Sequence, residues 1–460
     1  MSSLNRRSFV NSLLAAGAAT AAAPMLAANA AGEVDVIIVG AGAAGIAAAR
    51  RVAAANKRYA LLEASNRLGG RCAVDTKIFG VPYDLGAHWI YNADTNPVAK
   101  LATGFDIYPA PRAQTLRVGA RAARDSELES FLAATLRVHR GMTDLGKAKT
   151  DFPANRLLPK DLFEWQSTVE FMLGPFATGK ELSEISAFDM ARAVERDNSA
   201  FCRQGYGALL AKLGTGFGAQ LSTPVEAILW GNKFAVDTPK GNFIGRAIIV
   251  TVSTGVLTSD KIEFIPPLPK RQLDAASKLS LGSYDHIALE MPGNPLGLQK
   301  DDMVFERADG TKTAALLANV SGTDLHLIEV AGSFGRELSA QGEDAMKAFA
   351  GDWLASLFGS NAKRAIKRSH ATRWNADPLA LGAMSVAAPG SADARKVLME
   401  PLGGKVFFAG EAVHETQWGT VNGAWDSGTR AAEVALRRLG ALGDGDDKPA
   451  KHKRRGRGDD

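Results

Sequence analysis

The chain has 460 residues, 46% hydrophobic and 22% charged, with 47 Gly and two Cys. That is ordinary globular usage: it excludes a collagen-like or disordered chain, and two cysteines cannot build a disulfide scaffold or a four-thiolate zinc site. Of the +5 net charge, Arg6 and Arg7 supply two and the last 17 residues one more, which leaves +2 for residues 31–443 and no basic field suited to nucleic acid.

In chain order, Asn5-Arg6-Arg7-Ser8-Phe9-Val10 precedes an alanine-rich apolar run from Leu13 to Ala28, and Ala28-Asn29-Ala30 fits an A-x-A cleavage site. The pattern resembles a twin-arginine signal, so residues 1–30 are expected to address the chain to the twin-arginine export machinery and to a periplasmic or extracellular location. An ordinary secretory signal or an N-terminal anchor is the alternative. No later stretch has the ~20 apolar residues of a membrane span, so a soluble mature chain is expected.

Val34 to Val39 is a β-branched run of the kind that forms a buried parallel strand. It enters Gly40-Ala41-Gly42-Ala43-Ala44-Gly45, then a helix-prone segment from Ile46 to Ala55 and a second apolar run, Tyr59 to Leu62, ending in Glu63. Gly40 makes the turn, Gly42 admits a pyrophosphate beside Ala44, Gly45 lets helix and strand pack closely, and the helix N-terminus faces phosphate charge. Glu63, followed by Ala64, stands where a carboxylate accepts ribose hydroxyls. Up to this point NAD and FAD are equally suited.

The next segment, Ser65-Asn66-Arg67-Leu68-Gly69-Gly70-Arg71, brings two arginines and paired glycines to the same pyrophosphate. It resembles the second FAD motif of the flavin-containing amine oxidase superfamily, and the resemblance continues in order to residue 440. Val81 to Ile90, with Gly86-Ala87-His88-Trp89, is similar to the polyamine oxidase branch, where this stretch runs beneath the flavin. Pro224-Val225-Glu226 matches a segment whose valine backbone meets the adenine. Arg373-Trp374-Asn375 follows the family order. Val406 to Ala412, with Gly410-Glu411, and Thr420-Val421-Asn422-Gly423 complete it. The resemblance implies that Glu411 contacts ribityl or pyrophosphate oxygens and that the helix opening after Thr420 faces the flavin's pyrimidine end, where a helix dipole favours negative charge.

The implied fold is α/β: a Rossmann-like FAD-binding domain from residues 31–113, 205–265 and 391–443, plus an α+β substrate domain from 114–204 and 266–390 with a mixed sheet over the flavin. Residues 444–460 are expected to form a charged, disordered tail. Glu127 to Leu145 and Leu158 to Arg196 are expected to be mainly helical, and His286 to Glu290 and Leu325 to Val330 to be strands.

The resemblance further implies an enzyme that binds FAD noncovalently, takes hydride from the carbon beside an amine nitrogen, and passes electrons to O2, giving H2O2, or to another acceptor. The amine must be neutral, and deprotonating an alkylamine of pKa about 10 at pH 7 costs roughly 4 kcal/mol unless the site assists. Gly282-Ser283-Tyr284-Asp285-His286 places His286 where the family carries a lysine that holds a water. An imidazole can replace that lysine, or oxygen reactivity is low, or His286 points outward from its strand. His88, Tyr284 and Trp374 complete the candidate catalytic set, with a packed core histidine as the alternative for His88. The seven histidines show no metal-ligand spacing, so no metal is expected.

Thr420 and the run Gly382-Ala383-Met384-Ser385 depart from a monoamine oxidase aromatic cage, and Ala383 stands where those enzymes attach flavin to cysteine. Trp418 and Trp425 are further ring candidates, with core packing as their alternative. For the distal ammonium of a polyamine the available acids are Asp94, Asp106, Glu170 and Glu415, each also readable as a surface acid; for a substrate carboxylate, Arg112. The expected function is oxidation of a polyamine or other small amine. An amine or amino-acid dehydrogenase, or a silent flavin-binding accessory protein, are the alternatives.

Overall fold

The computed structural model describes residues 33–111, 114–143, 150–196 and 198–442; the segment expected to be an export signal, Arg112 and the charged C-terminal segment lie outside the described residues. The apolar run Val34–Val39 is a strand paired in parallel with Tyr59–Leu62 on one side and with the second half of Gly241–Val250 on the other. Val406–Phe408 continues the parallel order beyond that half. The first half of Gly241–Val250 pairs antiparallel with Phe234–Thr238, which leads to Ala227–Leu229 and then to Glu263–Ile265. This seven-stranded sheet therefore draws on three separated regions of the chain.

Helices Ala43–Ala54 and Val421–Arg438 share one core cluster with this sheet through Ala44, Ala48, Ala432 and Ala435. Small side chains let them approach closely: a Cβ on Gly428 would overlap the Ala44 carbonyl. The first helix begins at Ala43, three residues before the expected start, because the turn through Gly40, at φ +99°, feeds directly into it.

A second, mixed sheet runs in the order Arg368–Ala371, Tyr284–Glu290, Leu325–Ala331, Ala315–Leu317, Met303–Glu306, Gln114–Val118, Arg121–Ala122. Ile287, Leu289, Ile328 and Val330 pack against helices Gly332–Ala340 and Glu343–Phe358. Ala288, Leu325 and Leu327 belong to another core cluster, with Phe131 of helix Asp125–Thr143 and Trp165. Alternation puts His286 on the Ala288 face, and the register sets it directly opposite Glu329.

Residues 158–196, expected to be mainly helical, form short pieces instead. The helix Gln166–Phe171 widens into a π turn over Met172–Phe176, where Pro175 supplies no N–H. Among the described residues no helix is long and apolar enough to cross a membrane.

Candidate active site

Both sheets contribute to the wall of a cavity of ≈ 720 Å³. Its lining includes Gly40, Gly42 and Ala44 of the first turn; Glu63, Ala64, Arg67, Gly70 and Arg71; Gly86, Ala87, His88 and Trp89; Val225; Tyr284, His286 and Trp374; and Gly410, Glu411, Thr420 and Val421. Of the residues singled out in the sequence as cofactor or catalytic candidates, Gly45 alone is off the wall. It packs beneath the turn, where a Cβ would overlap the Gly40 carbonyl.

The turn fits a dinucleotide on its own geometry. A Cβ on Gly42 would meet no protein atom closer than 3.9 Å, so protein packing does not demand glycine there and the space opens to the cavity. Gly42 offers no side-chain cap to the Ala43–Ala54 helix, whose first N–H groups are left for an anion. Glu63 accepts from the Ala41 amide (2.6 Å) and the Ser65 amide (2.8 Å), which braces the turn and leaves lone pairs for hydroxyl donors. Arg67 donates to the Gly70 carbonyl at 2.7 Å and so shapes the glycine pair.

Glu411 is an organiser rather than an open acceptor. It accepts from Arg71 (3.1 Å), from the Ser385 amide (3.1 Å) and hydroxyl (2.6 Å), and from the Gly419 amide (2.9 Å). Burial pushes its pKa up, but Arg71, Ser385 and Gly419 outweigh burial and hold it below the usual range. The carboxylate thereby fixes Arg71, which also donates to the Ala383 carbonyl. At the other end of this segment Thr420 caps the Val421–Arg438 helix by accepting from the Gly423 amide.

Trp374 clamps the floor. Its indole donates to the Leu85 carbonyl at 2.9 Å and its amide to Asp285 at 2.8 Å, and a Cβ at Gly86 would overlap the Arg71 carbonyl and crowd the Trp374 ring. Trp418 and Trp425 are buried core residues off the cavity wall; the Trp418 indole donates to the Asp189 carbonyl.

His286 points inward, which removes the outward-facing reading. Its Nδ1 lies 2.9 Å from the Asp84 carbonyl. A carbonyl only accepts, so in the neutral ring the proton sits on Nδ1 and Nε2 keeps its lone pair. Burial, and then the charge of His88, push the His286 pKa down to about 4, so the ring is neutral across the physiological range. His88 is the opposite case. Burial opposes its charge, yet Glu329, with Nε2 to Oε1 at 3.1 Å, raises its pKa. Burial likewise opposes the charge on Glu329, and His88 more than compensates, holding its pKa down.

Glu329, absent from the acids considered in the sequence, is the carboxylate that organises this site. Its signal was a glutamate within the apolar run Leu325 to Val330. Asp94, Asp106, Glu170 and Glu415 instead meet Asn198, Arg203, Gln166 and Lys396, off the cavity wall. Chain spacing gave no metal-ligand set, but the fold brings ligand atoms of His88, His286 and Glu329 within 4.8 Å of one another. Glu329 raises the pKa of His88 and so favours a positive charge beside the carboxylate.

Neither cysteine offers a thiolate for attaching a cofactor. Burial pushes Cys72 well up and Cys202 up to about 12.

A model of the flavin containing amine oxidoreductase family matches residues 162–436, and one of an NAD(P)-binding Rossmann-like domain matches residues 38–104. The chain is 28% identical over 451 residues to lysine-specific histone demethylase 2 of Homo sapiens, covering 86% of this chain and 53% of that protein. It therefore spans about half the length of that relative. It is 26% identical to probable polyamine oxidase 4 of Arabidopsis thaliana, with 88% of each chain covered. Solved structures with this fold include putrescine oxidase bound to putrescine, at TM-score 0.75 and 18% identity over 88% of this chain and 99% of that one. Cyclohexylamine oxidase from Brevibacterium oxydans IH-35A is another, at TM-score 0.74 and 20% identity over 89% and 100%.

Proposed function

We propose, because this chain belongs to the flavin containing amine oxidoreductase family, that it oxidises small amines using noncovalently bound FAD. The observation that carries the reading is His286: a buried neutral imidazole with Nδ1 tied to a carbonyl and Nε2 3.8 Å from Glu329, on the wall of the cavity that also holds the dinucleotide-binding turn. FAD, when bound, supplies the two-electron acceptor for the carbon beside the amine nitrogen and passes the electrons to O2 or another acceptor.

The chain's own residues do the remaining work. Gly40, Gly42 and the helix N-terminus receive the pyrophosphate, Glu63 the ribose hydroxyls, and the Val421–Arg438 helix N-terminus favours negative charge opposite Thr420. His286 Nε2 presents a lone pair that holds a water, and the same burial that keeps the imidazole neutral disfavours the ammonium form of an amine beside it, which lowers the cost of bringing in a neutral amine. Burial, and then the charge of His88, hold the His286 pKa down, while Glu329 raises that of His88. Trp89, Tyr284 and the Met172–Phe176 turn line an apolar space beside it.

Arg6-Arg7 and Ala28-Asn29-Ala30 support twin-arginine export to the periplasm, a route suited to a protein that folds around its cofactor first. A signal fusion whose export survives loss of the twin-arginine translocase would overturn that part. The enzymatic reading is tested by mixing holoprotein anaerobically with primary amines, secondary amines, polyamines and amino acids. Bleaching of flavin absorbance within minutes by at least one class is expected, and no bleaching by any refutes it. An oxygen pulse then separates oxidase from dehydrogenase: rapid recovery of absorbance marks O2 as acceptor.

A further inference from the structure

We propose that the amine oxidised here carries a carboxylate, and that Arg196 binds it; this inference rests on the amine-oxidising reading of the site. Arg196 lines the cavity, with its guanidinium over the Tyr91 ring at 4.8 Å and the Trp418 ring at 5.7 Å. Nη1 donates to the Ala177 carbonyl at 3.3 Å and Nη2 to the Trp418 carbonyl at 3.1 Å. A guanidinium has five N–H donors in a planar fork, so donors remain after these are met.

Arg196 has no counter-ion among the described residues. Among the described residues no carboxylate lies within 4.0 Å of its guanidinium, whereas Arg71, on the same cavity wall, is paired with Glu411. The two carbonyl acceptors hold the fork in place without cancelling its charge, and two aromatic faces stabilise a cation while presenting it to the cavity. Binding a substrate carboxylate restores the missing partner through charge-assisted hydrogen bonds.

Aromatic rings line the wall between Arg196 and the histidines. Tyr91 and Trp89 stack with centroids 6.4 Å apart, and Trp89 is 5.3 Å from the His88 ring. In this proposal one molecule lies along Tyr91 and Trp89, with its carboxylate at Arg196 and its amine among His88, His286 and Tyr284. A polyamine meets the reverse charge pattern here: its second ammonium faces Arg196, and Glu329 is fully buried and committed to His88.

The test uses holoprotein and matched substrate pairs: amino acids and the amines left when their carboxylate is removed, with spermidine as the polyamine. Anaerobic flavin bleaching is expected at lower half-saturating concentration for the carboxylate member of at least one pair. R196Q is expected to raise that half-saturating concentration about 10- to 100-fold, with a much smaller change in limiting rate, and R196K to recover part of it. Benzoate, which cannot be oxidised at an amine carbon, gives a readout free of turnover. It should perturb the oxidised flavin spectrum of the wild type and not of R196Q at equal flavin content. Preference for the decarboxylated amine or spermidine, with R196Q indistinguishable from wild type, overturns the inference and leaves amine oxidation standing. No bleaching by any compound overturns both.

Discussion

His88 and His286 stand with ring centroids 5.0 Å apart and meet opposite fields. Burial alone would neutralise both, and only His88 has Glu329 close enough to reverse that. The consequence for stability has a definite sign. His286 titrates near 4 in the folded chain and near about 6.5 when unfolded, so the unfolded state takes up the proton first as pH falls. Its contribution is complete above about pH 6.5 and is lost progressively toward pH 4, whereas His88 contributes in the opposite sense, losing stability as pH rises through its raised pKa. Replacing His286 by Asn, whose amide can still donate to the Asp84 carbonyl, removes the acid-labile part. Between pH 7 and 4.5 the variant should lose about 2–3 kcal/mol less unfolding free energy than wild type, measured by urea denaturation. Equal pH sensitivity in the two proteins would refute the neutral assignment. Both histidines were legible from their motifs. Glu329 was not, because its partner is set by cross-strand register, which no local pattern carries.

At the scale of elements, legibility followed the strength of local boundaries. Val34–Val39 and Tyr59–Leu62 are each closed by a Gly or an acid, and both strands begin and end where the apolar runs do. The segment 158–196 has no comparable period, and Pro175 and Gly174 break it into turns whose geometry depends on what they pack against. The glycine turn can be dissected in the same terms. Gly42 adopts φ −75°, ψ −171°, a conformation open to any residue, and an alanine Cβ there meets only the cavity. G42A should therefore keep apoprotein stability within about 1 kcal/mol of wild type while weakening FAD binding at least about 10-fold, since the methyl group takes the pyrophosphate's space. G45A drives a Cβ into the Gly40 carbonyl and should destabilise the apoprotein itself by about 1–3 kcal/mol or more. Apoprotein melting and FAD titration by fluorescence quenching separate the two, and normal FAD affinity in G42A would show that the ligand does not approach this turn.

At the scale of the molecule, a buried chain of alternating charge ties the helix Ala187–Arg192 to the cavity. Asp189 accepts from Arg395 Nε and Nη2 at 2.9 and 2.7 Å, and both side chains are 1% exposed. Arg395 donates onward to the Ser385 hydroxyl at 3.2 Å and the Ala412 carbonyl at 2.9 Å, and Ser385 donates to Glu411, which fixes Arg71. Removing one member of a fully buried pair leaves the other desolvated and uncompensated, at a cost of about 3–5 kcal/mol, whereas an exposed pair such as Arg192–Asp393 is worth at most about 1 kcal/mol. Asp189→Ala should therefore destabilise the apoprotein by the larger amount, and should also weaken FAD binding, because the freed Arg395 competes with Arg71 for Glu411. Asp189→Ala combined with Arg395→Met should recover much of the stability, since the unpaired guanidinium is gone, yet not the full FAD affinity, since Ser385 keeps no anchor on its far side. Urea denaturation of the apoproteins and FAD titration of each variant, with Asp393→Ala as the exposed control, measure the two effects separately. If Asp189→Ala costs no more than Asp393→Ala, the chain of charges does not hold the two regions together. If stability falls but FAD affinity does not, the link ends at Arg395 and Glu411 holds Arg71 through its own amide contacts.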